Sequence, residues 1–112
     1  MTQHDVRVSL CHMRDYAKEA VALSKGRTRK DLDTDRTLSL ALVRLLEIVG
    51  EAANRVPAED RARYPQIPWP QIIGLRHRLV HAYDQVDMDI LWEILTRHLP
   101  ILAAELEKIL GE

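Results

Sequence analysis

Two arginines, two histidines, a tyrosine and an aspartate crowd into the end of the run GLRHRLVHAYD, from Arg76 to Asp84. Imidazoles gain and lose protons near neutral pH, and guanidinium groups grip oxyanions through a fixed fork of N–H donors. Together they suit proton transfer beside an anion. At about 100° per helical residue, Arg76 and Tyr83 point nearly the same way, while His77, His81 and Asp84 form a second stripe. A helix here would expose a polar strip wide enough to hold a phosphate.

Three readings fit these residues. The first is a solvated helix face, the ordinary fate of Arg and His. The second is a metal site, with His77 and His81 at i and i+4 sharing a cation and Asp84 as third ligand. The flanking Arg76 and Arg78 would repel a divalent cation, which counts against it. The third is acid/base chemistry on a phosphodiester, His81 moving protons while Arg76 stabilises charge on the phosphate.

The scaffold that must carry this strip reads as helical. Of the 112 residues, 46% are hydrophobic and 29% charged; there are sixteen leucines and no phenylalanine, so the core must be aliphatic. That length predicts one domain, residues 1–112. Val6, Leu10, Met13, Ala17, Ala20 and Ser24 recur every three or four residues and predict a first helix from about Asp5 to Ser24. Lys25 to Arg36 alternates charge signs around Gly26 and reads as a solvated, mobile loop, with Asp33, Thr34 and Asp35 as candidate N-caps beyond it.

A second helix, roughly Thr37 to Arg55, carries Leu38, Leu42, Leu45, Val49, Ala52 and Val56 on one side, widened by Ala41, Leu46, Ile48 and Ala53. So little polar circumference places it at the centre of a bundle or in a subunit interface. Gly50 in its middle points to close helix approach. Pro57, Pro65, Pro68 and Pro70 break the chain next, leaving AEDRARY room for two turns, and Pro70 opens a third helix to about Asp84. Asp87 caps a fourth helix, which Pro100 must kink or split near Arg97 to Leu99. The expected fold is all-α: an antiparallel four-helix bundle with short extra turns and a Pro-kinked C-terminal helix.

Net charge is −1, so the chain is no globally basic nucleic-acid binder, and any anion site is local. The single cysteine, Cys11, excludes an intramolecular disulfide framework and reads as a buried small hydrophobe in a reduced compartment. The N-terminus lacks a signal-peptide run and no stretch approaches a membrane span, so a cytoplasmic protein is expected.

Arg76, four intervening residues, His81, one residue and Tyr83 resemble the R-x4-H-x-Y signature of HEPN-type ribonucleases, specifically the HepT-like toxins of toxin–antitoxin pairs. LEIVGEAA from Leu46 to Ala53, PQIPWPQIIGLRHRLVHAYDQVD from Pro65 to Asp87 and LWEILTRHLPIL from Leu91 to Leu102 are similar to that family too. His77 stands where family members usually have asparagine.

The resemblance implies a HEPN bundle and cofactor-free, metal-independent RNA cleavage, in which a ribose 2′-hydroxyl attacks the adjacent phosphate. It makes Arg76 and His81 catalytic, with His77 and Arg78 as supporting residues. It implies a homodimer with a composite cleft, which would answer a geometric difficulty: Arg76 and His81 diverge by about 140° on one ideal helix. It also makes Tyr83 the acceptor for AMP from a partner minimal nucleotidyltransferase, the antitoxin of a type VII system. A non-catalytic nucleotide- or partner-binding helical module is the alternative from another class.

Elsewhere, Arg27, Arg29, Lys30, Arg61 and Arg63 are solvated loop residues or guides for an RNA backbone. Trp69 and Trp92 are spaced for packing at helix starts, and His4, His12 and His98 show no partner pattern.

Overall fold

The computed structural model describes residues 3–82 and 85–111. Helix α1, Gln3–Ser24, forms as the apolar spacing requires: Val6, Leu10, Met13, Ala17, Ala20 and Ser24 are all buried. Gly26 then takes φ +78°, a left-handed conformation that leaves the chain free to turn away from the helix.

The segment Lys25 to Arg36 is more structured than its charge pattern suggests. A short helix α2, Asp31–Thr34, drops Leu32 into the core at 2% exposure. Thr28 donates its backbone N–H to Asp31 Oδ2 at 2.7 Å, bracing the preceding turn. One buried leucine in a charged run has no periodicity to reveal it.

Asp35, among the candidate caps, is the one used: its Oδ1 accepts the Leu38 N–H at 3.0 Å and starts α3, Arg36–Asn54. Helix α3 is the central element, packing on α1, α2 and the pieces that follow it. Leu42, Leu46, Val49 and Ala53 are wholly buried along it. A Cβ added at Gly50 would come 2.9 Å from the Ile72 carbonyl oxygen, so the missing side chain is what lets the next helix seat against α3.

One turn, α4 (Ala58–Arg61), is all that forms within AEDRARY. Arg61 Nε donates to the Val56 carbonyl at 2.7 Å and Nη2 to that of Asn54 at 3.4 Å, satisfying groups left open where α3 ends. Trp69 is buried with its indole N–H shared between the carbonyls of Arg61 and Tyr64, both at 3.1 Å. It begins α5, Trp69–Ile73, with Pro70 following in the first turn.

The expected third helix is not continuous and does not reach Asp84. After α5, Gly74 interrupts it, α6 covers only Leu75–Leu79, and the chain then becomes extended as β1, Val80–Ala82. β1 pairs antiparallel with β2, Gln85–Val86; Val80 faces Val86 and Ala82 faces Gln85, with an irregular register between. Two forces oppose the helix here. Val80 is β-branched and favours extended backbone, and the Leu79 carbonyl accepts the N–H of Asp87 at 2.8 Å instead of one from a following helical turn.

Asp87 caps α7, Met88–Glu93, its Oδ1 accepting from Asp89 and Ile90 N–H, both at 3.0 Å. Before Pro100 the helix widens into a π-helical stretch, Ile94–His98, and resumes as α8, Leu99–Ile109. The split thus falls where Pro100 demands it: a proline ring clashes with the carbonyl four residues back, and a wider turn relieves that clash. The fold is all-α apart from the small hairpin. Among the described residues no helix is long and apolar enough to cross a membrane.

Candidate functional site

The two described motif residues sit on neighbouring short pieces, Arg76 on α6 and His81 on β1, and each has its own support. Arg76 projects from α6 with its side chain 62% exposed, and its Nη1 lies 3.4 Å from Oε1 of Glu47 on α3. The other oxygen of Glu47 faces Arg44 Nη1 at 3.4 Å, and Arg44 faces Glu51 at the same distance. Alternating charges along α3 therefore hold the guanidinium near one edge, while most of it stays open to solvent.

His81 stands on β1, not on a helix, between half-buried Val80 and exposed Ala82. Strand alternation turns Val80 toward the core and His81 outward. Its Nε2 lies 3.4 Å from Asp87 Oδ2, and both side chains are accessible, 57% and 32% exposed. Asp87 is held below the usual aspartate range, chiefly by the Ile90 N–H and further by His81. It is therefore a carboxylate at neutral pH, able to accept from the ring.

The start of α7 is itself pinned. Arg29 Nε reaches Asp89 Oδ1 at 2.8 Å and its Nη1 reaches Asp33 Oδ2 at 3.0 Å, joining the turn after α1, α2 and α7. Arg29 and Arg61 are thus committed to the fold, and Arg27 and Arg63 face Asp35 and Asp60 at 3.4 and 3.6 Å. The side chains of Arg27 and Arg63, 44% and 60% exposed, nonetheless stay open to solvent.

The two supporting residues part company. His77 is exposed on α6 beside Arg76. Arg78, two residues on and so on the opposite side of the helix, is half-buried and lines a groove of about 430 Å³ with Leu75, Ile94, His98 and Leu102. The helical i, i+4 relation that would bring His77 and His81 onto one cation does not exist, because α6 ends at Leu79. The same ending removes the angular conflict between Arg76 and His81, since the two are not on one helix. Tyr83 and Asp84 lie outside the described residues.

Glu47 and Asp87 are the residues that the motif alone does not disclose as part of this site. Asp87 is legible as a cap, but its second contact depends on the hairpin; Glu47 lies far from the motif in sequence and meets it only through the packing of α6 on α3.

The family model for Ribonuclease HepT-like proteins matches residues 13–109. A protein of Caldanaerobacter subterraneus subsp. tengcongensis, provisionally named an RNase, is 35% identical over 93% of this chain and 93% of its own length. One from Thermococcus cleftensis, provisionally named ribonuclease HepT, is 34% identical over 88% of this chain and 92% of its own. A Methanocaldococcus jannaschii protein, also provisionally named an RNase, is 30% identical over 100% of this chain and 93% of its own. No solved structure matches the chain significantly.

Proposed function

The chain belongs to the Ribonuclease HepT-like family, and from that membership we propose that it is a metal-independent endoribonuclease with Arg76 and His81 as catalytic residues. The observation that supports this best is local. Within one short segment an exposed guanidinium and an exposed imidazole are each held by their own carboxylate, Glu47 and Asp87, and neither is buried in the core.

In this reading His81 takes the proton of a ribose 2′-hydroxyl as O2′ bonds to phosphorus and the bond from phosphorus to the 5′-oxygen breaks. The leaving oxygen takes a proton from the second His81 of a homodimer, and the products are a 2′,3′-cyclic phosphate and a 5′-hydroxyl. Arg76 holds the phosphate as charge builds on it, with His77 supporting. Arg78, on the opposite side of α6, is placed to support the site only through the groove wall. The homodimer rests on the family resemblance; most of the apolar breadth of α3 packs within the chain, while Leu40 stays 55% exposed.

The same reading makes the protein a cytoplasmic toxin of a type VII pair. Its partner nucleotidyltransferase silences it by attaching AMP to Tyr83. The whole of residues 1–112 serves as one HEPN domain.

Incubation of purified, unmodified protein with total cellular RNA tests the catalytic reading. Wild type cleaves with or without EDTA, and Arg76→Ala and His81→Ala, still folded by circular dichroism, do not. Cleavage lost in EDTA and restored by zinc would overturn metal independence. RNA left intact by unmodified wild type would favour a non-catalytic nucleotide- or partner-binding module.

A further inference from the structure

Asp87 divides its two oxygens between two tasks. Oδ1 accepts the backbone N–H groups of Asp89 and Ile90 and so starts α7. Oδ2 faces His81 Nε2 at 3.4 Å. A helix cap needs only the first of these.

The cap fixes the carboxylate's orientation before any substrate arrives, because two backbone donors hold it. The element beneath is fixed in turn: the Asp87 N–H is bonded to the Leu79 carbonyl, and the neighbouring Asp89 is anchored through Arg29 to Asp33. His81 gains nothing comparable from its own strand, where its side chain points to solvent. An exposed imidazole without a partner samples several rotamers and both neutral tautomers; one that donates Nε2–H to a fixed carboxylate keeps one orientation, with Nδ1 as its free lone pair.

We propose that Asp87 is a positioning residue of the site: through Oδ2 it holds the His81 ring with Nε2 as donor and Nδ1 free to accept the substrate proton. This rests on the reading of His81 as the proton-transfer group given above. Asp87 touches no reacting atom. It remains ionised while His81 gains the 2′-hydroxyl proton at Nδ1, and its charge steadies the imidazolium that results.

The two tasks are separable by mutation, because serine and asparagine are both good N-caps. Asp87→Ser keeps a cap but is too short to reach the ring; Asp87→Asn keeps the cap with its one oxygen and turns its amide NH2 toward the ring, so that it donates to Nε2 and favours the wrong, Nδ1–H tautomer. Two measurements follow: long-range proton–nitrogen NMR of the neutral His81 ring, and steady-state cleavage of an RNA oligonucleotide. In wild type the ring populates the Nε2–H form alone, and in Asp87→Ser the Nδ1–H form joins it.

Asp87→Ser loses about tenfold or more in kcat with KM within about twofold, and Asp87→Asn loses at least as much, because its amide holds the ring in the unproductive tautomer. An unchanged ring spectrum in Asp87→Ser overturns the contact. A changed spectrum with wild-type kcat overturns the positioning role and leaves Asp87 a cap alone. Wild type that cleaves no RNA overturns the ribonuclease reading itself, a failure visible before any variant is made.

Discussion

Nη1 of Arg76 lies 3.4 Å from Oε1 of Glu47, so the motif arginine is tied to the central helix while His81 is tied to the start of α7. The two motif side chains hang from different parts of the scaffold. Their relative placement therefore depends on how α6 and the hairpin pack, and not on any single helix geometry.

The Arg76 end of its pair with Glu47 is largely solvated, 62% exposed against 19% for Glu47, and a pair open to water on one side is worth about 1 kcal/mol or less in stability. Its effect on an anionic ligand is larger, because Glu47 places a negative charge beside the guanidinium proposed to hold phosphate. Glu47→Gln therefore leaves the melting temperature nearly unchanged and lowers KM for RNA about two- to fivefold at low salt, a gain that fades as added salt screens the charge. A KM that does not move at low salt would remove Arg76 from the substrate's path.

Asp31 and Asp87 both sit below the ordinary aspartate range, Asp31 chiefly through the Thr28 N–H and Asp87 chiefly through the Ile90 N–H. A folded-state pKa below the unfolded one means the unfolded chain binds protons more readily. The stabilisation is therefore whole above the unfolded value of about 4 and is lost as pH falls through the folded values. Wild type melts higher than the Asp31→Asn, Asp87→Asn double variant at neutral pH, and the gap closes as the solution is acidified below the ordinary aspartate value of about 4. A gap of constant size throughout that acidification would mean that charge is not its source.

Gly50 and the Ile72 carbonyl give a test of packing with opposite signs for two physical effects. Helix propensity alone makes Gly50→Ala stabilising by about 1 kcal/mol. The added Cβ, however, would meet a backbone oxygen at 2.9 Å, which cannot swing aside as a side chain can. Overpacking wins, and the variant is destabilised by about 1–3 kcal/mol, read as a lowered melting temperature. An unchanged or raised value would show that α5 slides off α3 without cost.

Most of the scaffold was legible in the sequence because its signals are periodic or stereochemical. The α1 stripe, the breadth of α3, the caps at Asp35 and Asp87 and the split before Pro100 each follow from spacing or from one residue's geometry. The segment that carries the motif was legible as chemistry and misread as shape. Its apolar positions, Leu75, Leu79 and Val80, suit a helix, yet the Leu79 carbonyl is taken by Asp87 from beyond the hairpin. A long-range backbone bond leaves no trace in local periodicity, and the partners Glu47 and Asp87 exist only because of such packing.

Regulation at Tyr83 makes the last prediction. Tyr83 itself lies outside the described residues; Ala82 at the end of β1 and Gln85 at the start of β2 are both exposed. Each AMP attached to the tyrosine hydroxyl adds a phosphodiester charge two residues from His81, where it competes with substrate phosphate for the Arg76 guanidinium. Inhibition then follows from charge and bulk without unfolding. Tyr83→Phe keeps the ring and removes the acceptor oxygen. Co-expressed with a minimal nucleotidyltransferase and weighed intact, wild type gains mass in AMP-sized steps, loses RNA cleavage and keeps its melting transition. Tyr83→Phe gains nothing and stays active. Mass added to Tyr83→Phe, or mapped by fragmentation to another residue, would reject Tyr83 as the acceptor. Modified wild type that still cleaves RNA would reject the electrostatic mechanism even if the site is right.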